Sequence, residues 1–243
     1  MEGATDGVGT DSGSGSLRDR IAALVERSCF AVDDHDSGTA RHMEHIGVVS
    51  GVVARGLAAD GVVDLRTARW IELLAPLHDL GKLAVPAGIL RKPSALDDDE
   101  WTVVRRHPLD GSRLAADLLA DLLVADRSSA GPDAVDDEAE LVVDLTTNVV
   151  ELHHETLDGR GYPHGLTDAE IPVEARVVAV ADVFDALTAS RSYKAPWTTA
   201  EALGELARLV DAGRLDGGCV AVLERSADEL DERLRGGRPD GGV

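Results

Sequence analysis

The sequence predicts an all-α fold. Three observations predict it: apolar residues recur at i, i+3 and i+4 in eight windows, alternating strand-like runs are nearly absent, and helix-capping residues precede several windows. The first window, 17–30, opens behind Ser16, which has capping-box spacing to Asp19. The second, 40–57, begins in TARHMEHIG, and the third, 65–78, follows the cap residue Asp64 with an apolar face of Trp70, Leu73, Leu74 and Leu77. Windows at 110–124 and 141–154 flank ADRSSAGPDAVDDEAE, whose Gly, Pro, Ser and acidic residues predict an exposed loop over about 125–140. Residues 173–189, then 199–212 behind Thr198 or Thr199, then 219–235 complete the set. Residues 1–16 read as a flexible Gly/Ser-rich leader and 236–243 as a short tail, which leaves one folded domain over 17–235.

Length and composition agree with a folded chain, since 243 residues at 44% apolar content suffice for a full core. No basic and apolar leader and no run of about 18 apolar residues is present, so a cytoplasmic protein is expected. A net charge of -21 argues against nucleic-acid polymers and anionic membranes as partners, because both demand clustered Lys and Arg. Cys29 and Cys219 lack disulfide or metal-knuckle spacing and are expected as small buried apolar residues. The only lysines are Lys82, Lys92 and Lys194, each in or beside a motif.

The chemistry-bearing residues cluster in a few segments. ELHHETLDGRGYPHGL sets His153 and His154 side by side before a stiff Gly/Pro loop, where two neutral nitrogens can serve one cation. LHDLGKLAVP places His78 beside Asp79, and the two oxygens of a carboxylate can bridge two cations, which makes Asp79 the natural bridge. In VVAVADVF, Asp182 stands among apolar residues, and a buried carboxylate of that kind requires a compensating partner, best a metal cation. Asp185 reads as a local helix or loop contact. His42 and His107 complete the set, His45 supports it from outside at most, and His35 and His164 are expected to be exposed.

Taken together, TARH, LLAPLHDLGKLAVPAGILRKPSAL, RRHPLDG, HHETLDGRGYPHGL and IPVEARVVAVADVFDALTASRSYK resemble the HD-GYP family of HD-domain metal-dependent phosphohydrolases over residues 36–222. The resemblance implies a helical bundle around two divalent metal ions, iron or manganese. It implies metal ligation by His42, His78, Asp79, His107, His153, His154 and Asp182, contact of Lys82 with the scissile phosphate, and phosphate contacts from Arg191 and Lys194. Asp79 and Lys82 would be the catalytic pair. It implies hydrolysis of the bacterial second messenger cyclic di-GMP to pGpG and on to GMP. Gly38 stands where some relatives carry a glutamate that supports a third metal, so two metals are expected. Ala87 and His45 also depart from the family pattern, and no sensory domain precedes the catalytic region, so a stand-alone enzyme is expected. Two other readings remain open: an HD-type phosphohydrolase on another cyclic dinucleotide or nucleotide, and a binding module that signals through a partner protein touching the loop at Tyr162 and Pro163.

Overall fold

The computed structural model describes residues 15–36, 39–127, 136–189 and 196–236, and these residues form helices with no strand. The helices are α1 (Leu17–His35), α2 (Ala40–Ala59), α3 (Leu65–Leu74), α4 (Ala87–Leu90), α5 (Asp98–Val104), α6 (His107–Arg127), α7 (Asp136–Leu152), α8 (Val173–Thr188), α9 (Thr199–Asp211), α10 (Gly217–Arg225) and α11 (Ala227–Gly236). Tight 3-10 turns at Ala75–Leu77, Leu80–Ala84 and Asp168–Glu170 link them.

The predicted starts are made by the predicted groups. Ser16 accepts from the Asp19 amide while Asp19 reaches back to the Ser16 amide, Asp64 accepts from Thr67, and Thr198 accepts from Glu201. Each satisfies amides that a helix start leaves without partners, typically worth about 1 kcal/mol. Both ends of the stretch predicted as a loop over 125–140 are helical, and residues 128–135 lie outside the described residues. α6 continues to Arg127 and α7 already begins at Asp136, because the Asp and Glu run at 136–140 suits the positive end of a helix better than a loop. Four short elements carry no apolar period and lie outside the predicted windows: α4, α5, whose Asp97–Glu100 capping box was the readable signal, and the turns Leu80–Ala84 and Asp168–Glu170.

α2 runs through the middle of the bundle, with Ile46, Val49, Val53 and Ala54 fully covered by its neighbours. It packs against α3, α8 and α10, while α7 brings Val142, Val149 and Val150 to the same core. α8 is apolar on nearly every side, with Val177, Val178, Val180, Ala181 and Phe184 at zero exposure. Fully burying side chains of this kind contributes roughly 1.5–3 kcal/mol each, so the centre of the bundle is its stiffest part. Cys219 lies in this core as expected, whereas Cys29 is only partly covered.

Candidate metal centre

The seven predicted ligand residues arrive from five segments. His42 sits in the first turn of α2, His78 and Asp79 in the link between two 3-10 turns, and His107 at the first position of α6. His153 and His154 follow the end of α7, and Asp182 lies on α8. Their nitrogen and oxygen atoms fall into two groups, Asp79 with His107, His153 and His154, and His42 with His78 and Asp182, each within 4.8 Å of one another.

Asp79 joins the groups through separate oxygens. Its Oδ1 lies 3.4 Å from His107 Nε2, while its Oδ2 lies 3.3 Å from His78 Nε2 and 3.8 Å from His42 Nε2. Asp182 Oδ1 closes the second group at 3.7 Å from His42 Nε2. Lys82, one turn along, puts Nζ 2.9 Å from Asp79 Oδ2 and 3.3 Å from Asp36 Oδ2.

The backbone fixes which nitrogen each ring offers. His78 Nδ1 donates to Ala75 O at 3.0 Å, His107 Nδ1 to Val104 O at 2.8 Å, and His153 Nδ1 to Val150 O at 3.0 Å. In each ring Nε2 is therefore a bare lone pair when the imidazole is neutral. His107 Nε2 and His153 Nε2 face each other at 3.4 Å, and His42 Nε2 faces His78 Nε2 at 3.2 Å. In the neutral His107–His153 pair two lone pairs at that distance repel, and a cation between them removes the conflict. Separations of this size match two nitrogens each about 2.1 Å from one ion. The donor set thus fits divalent metals in both groups.

Electrostatics points the same way. Burial pushes His107 and His153 down, His153 strongly, and pushes His154 down to about 4, so all three rings are neutral at neutral pH. At His42 burial is outweighed by hydrogen bonds to Asp185 and Asp79 and by the charge of Asp182, which raise it to about 10. Asp79, although buried, is held well below the usual carboxylate range, chiefly by Lys82 and His78. A site that draws a proton onto one histidine while keeping three others bare is short of positive charge.

Close packing brings the segments together. A Cβ on Gly81 would lie 1.8 Å from His107 O, so only glycine lets the Asp79–Lys82 turn meet the start of α6. A Cβ on Gly161 would lie 2.4 Å from Glu155 Cα, where the loop folds back beneath the tandem histidines. Tyr162 stacks on His154 at 4.6 Å between centroids, and the Arg105 guanidinium lies over the phenol ring at 5.6 Å from its centroid.

Several expectations need correction. Asp182 is not buried; its side chain is 25% exposed at the mouth of the site, because α8 turns that position towards the opening. The buried carboxylate is Asp185, at 2% exposure, and it makes no merely local contact: it accepts from His42 Nδ1 and from His45 Nδ1, each at 2.7 Å. His45 accordingly supports Asp185 from outside the ligand groups. His35 is half-buried with Nε2 2.7 Å from Val85 O, while His164 is exposed yet bonded to Glu151. Glu155, which stands in the tandem-histidine motif but was given no role there, is buried and accepts from the amides of His164, Gly165 and Leu166. Its signal was its place between HH and a Gly-rich loop. Arg191, Lys194 and Gly38 lie outside the described residues.

A profile of the HD domain matches residues 142–218, which include the tandem histidines and Asp182. Over 89% of its length the chain is 37% identical to the cyclic di-GMP phosphodiesterase response regulator RpfG of Xanthomonas campestris, covering 50% of that protein. The chain belongs to the HD-GYP branch of the HD-domain family. Other relatives are a cyclic di-GMP phosphodiesterase of Pseudomonas aeruginosa, 44% identical over 79% of this chain and 42% of that protein, and a 3'3'-cGAMP-specific phosphodiesterase of Vibrio cholerae, 32% identical over 78% of this chain and 32% of that protein. The chain spans half or less of the length of these curated relatives. No helix among the described residues is long and apolar enough to cross a membrane.

Proposed function

We propose that this HD-GYP domain is a metal-dependent phosphodiesterase that hydrolyses cyclic di-GMP to pGpG, and onward to GMP, and so ends a second-messenger signal. The observation that carries this reading is Asp79, one carboxylate facing two separate histidine groups with its two oxygens. The names of the relatives from Xanthomonas and Pseudomonas support the substrate. His42, His78 and Asp182 would hold one ion, His107, His153 and His154 the other, with Asp79 between them. Iron and manganese are the ions we propose for this mixture of imidazole and carboxylate donors. When bound, such a pair supplies Lewis acidity and an activated water for in-line attack on phosphorus.

The protein's own share is positioning and charge. Lys82 sits where its Nζ can meet a non-bridging phosphate oxygen while still touching Asp79, and it would offset charge as that oxygen becomes more anionic. Asp185 clamps His42 so that Nε2 points inwards. Tyr162, whose hydroxyl is pushed up by burial and by Asp79 and Asp182, stays protonated and walls off one side against bulk water. Arg191 and Lys194 would bind the outer phosphate oxygens, bidentately in the case of Arg. The reading carries a cytoplasmic location with it, and a signalling protein docking on the Tyr162–Pro163 loop would complete the circuit.

Metal analysis of anaerobically purified protein, with chromatographic identification of products from cyclic di-GMP, tests the proposal. Two ions per chain and pGpG as the first product are expected; a metal-loaded sample that leaves cyclic di-GMP intact refutes it. The Vibrio cholerae relative named for 3'3'-cGAMP favours a second reading, in which 3'3'-cGAMP is the preferred substrate. Parallel kinetics on both dinucleotides decide between the two.

A further inference from the structure

Among the described residues Lys82 Nζ pairs with two carboxylates, Asp79 at 2.9 Å and Asp36 at 3.3 Å. The two partners are unequal. Asp79 turns one oxygen to each donor group, so with ions in place both of its oxygens are engaged. Asp36 belongs to neither group. A lysine ammonium is a point charge on a flexible four-carbon stem, and beside two divalent ions it is pushed outwards unless a carboxylate on its own side holds it. The Lys82 and Asp36 side chains are 22% and 20% exposed, so water and salt screen their attraction only in part.

Asp36 stands where helix stability alone would not put it. It caps the C-terminus of α1, the negative end of the helix dipole, two residues after Asp34 and three after Asp33, and a further carboxylate there is unfavourable for the helix. Its backbone is nonetheless held from several sides. The Asp36 amide donates to Val32 O at 2.7 Å. The Arg91 guanidinium donates to Asp34 O at 2.6 Å and twice to His35 O, at 2.7 and 3.0 Å, and so serves the last carbonyls of α1 with a positive charge. His35 Nε2 donates to Val85 O at 2.7 Å. The last turn of α1 is thereby fastened to segment 82–91, the stretch of chain that begins with Lys82.

We propose that Asp36 is the positioning residue for Lys82: it keeps the ammonium at the metal centre when Asp79 is engaged, so that Nζ meets the phosphate, and Arg91 supports it by fixing the turn of α1 that carries it. The proposal rests on the phosphodiesterase reading and deepens it by naming what aims that cation. A difference of sign separates this role from plain charge. As one more anion near the phosphate, Asp36 would oppose phosphate binding, and its removal would strengthen it. As the holder of Lys82, its removal weakens phosphate binding, and does so only while Lys82 is there to be held.

Equilibrium dialysis of GMP against the manganese-loaded, full-length protein reads that sign without turnover. A phosphate monoester carries more charge on its oxygens than a diester does, as the transition state also does. Asp36→Asn should weaken GMP roughly tenfold, the effect of one charge-assisted bond. In a Lys82→Met background the same exchange should leave GMP binding unchanged or tighten it. In turnover of cyclic di-GMP, Asp36→Asn should lower kcat roughly 10–100-fold with KM changed less than about threefold, the pattern of a contact made chiefly in the transition state. Asp36→Glu, which still brings a carboxylate to Nζ, should recover much of the loss. Equal or tighter GMP binding by Asp36→Asn, in protein with unchanged metal content, overturns the proposal, and so does an equal loss in the Lys82→Met background. Should Asp36→Asn fail to fold, Arg91→Met carries the same comparison, with a loss of about threefold or more that disappears without Lys82. A protein that shows the change of sign yet hydrolyses neither cyclic dinucleotides nor bis(p-nitrophenyl) phosphate keeps the positioning and loses the phosphodiesterase reading. One that hydrolyses them with Asp36→Asn unimpaired keeps the reaction and loses the positioning.

Discussion

Replacing Glu155 by Gln should loosen the loop beneath the tandem histidines, and the cost can be worked from three bonds. Oε1 accepts from the His164 amide at 2.6 Å and the Gly165 amide at 3.1 Å, while Oε2 accepts from the Leu166 amide at 3.0 Å. Glutamine offers one oxygen, so it keeps the first two bonds without their charge assistance, a loss of about 1 kcal/mol each. Its amino group then meets the Leu166 N–H donor to donor, and an unsatisfied amide costs about 1–3 kcal/mol. The total, about 3–5 kcal/mol, is a large part of the net stability of about 5–15 kcal/mol typical of a folded domain. Because the residue is buried at 3% exposure, water does not readily replace the lost acceptor. Amide hydrogen exchange across residues 162–166 is the assay. At about 1.4 kcal/mol per decade, protection should fall by roughly 100-fold or more, with Tyr162 leaving His154 as the loop opens. Unchanged protection in the variant would refute the reasoning, and the Tyr162–His154 stack would then be what holds the loop.

Three further outcomes are expected. Asp79→Asn, by exchanging one ligating oxygen for an amino group, should reduce bound metal to one ion per chain or fewer by plasma emission analysis and bring cyclic di-GMP hydrolysis to background. Asp185→Ala removes the acceptor of both His42 and His45 and should lower metal affinity about 10–100-fold, measured by competition with a chelating dye. The metal-free protein should show a melting temperature that peaks near neutral pH. His154, with a folded value of about 4 against an ordinary value near 6.5, contributes a penalty that grows as pH falls from about 6.5 to about 4, because the unfolded chain takes the proton first. His42, raised to about 10, contributes stability that is complete below about 6.5 and is lost as pH climbs through about 10. Metal loading should flatten the alkaline arm, since a cation takes the place of the His42 proton; a melting curve with the same alkaline fall in loaded and stripped protein would contradict that.

The helices were legible because their signals are repeated: α2, α7 and α8 each carry several apolar positions in register, and Ser16, Asp64 and Thr198 mark starts with single side chains. The turns Ala75–Leu77 and Leu80–Ala84 have too few residues to show a period, yet they are what turns His78, Asp79 and Lys82 towards one point. The ligand residues were legible through their types and pairing. What orients them was not: Val104, Val150 and Ala75 act through carbonyl oxygens, and a carbonyl is common to every residue. Asp182 and Asp185 show the same limit in another form. Both stand in an apolar run, and only the rotation of α8 against α2 decides that Asp185 is sealed by two histidines while Asp182 faces the opening.

The charge around the centre leads to one more consequence for a chain of net charge -21. Asp36, Asp79, Asp182 and Asp185 bring four carboxylates to the space around Lys82 and His42, so the metal-free site repels phosphate even with His42 protonated. Two divalent ions reverse that sign locally, and interactions between groups a few ångströms apart in a partly buried site are screened far less by salt than the surface charge is. Phosphate affinity should therefore be conditional on metal. Isothermal titration of GMP into chelator-stripped protein should give no measurable heat of binding, while the manganese-loaded protein should bind at physiological ionic strength. Equal affinity in the stripped protein would mean that Lys82 and the other cationic side chains suffice for the phosphate, and the two donor groups would then need another occupant or none.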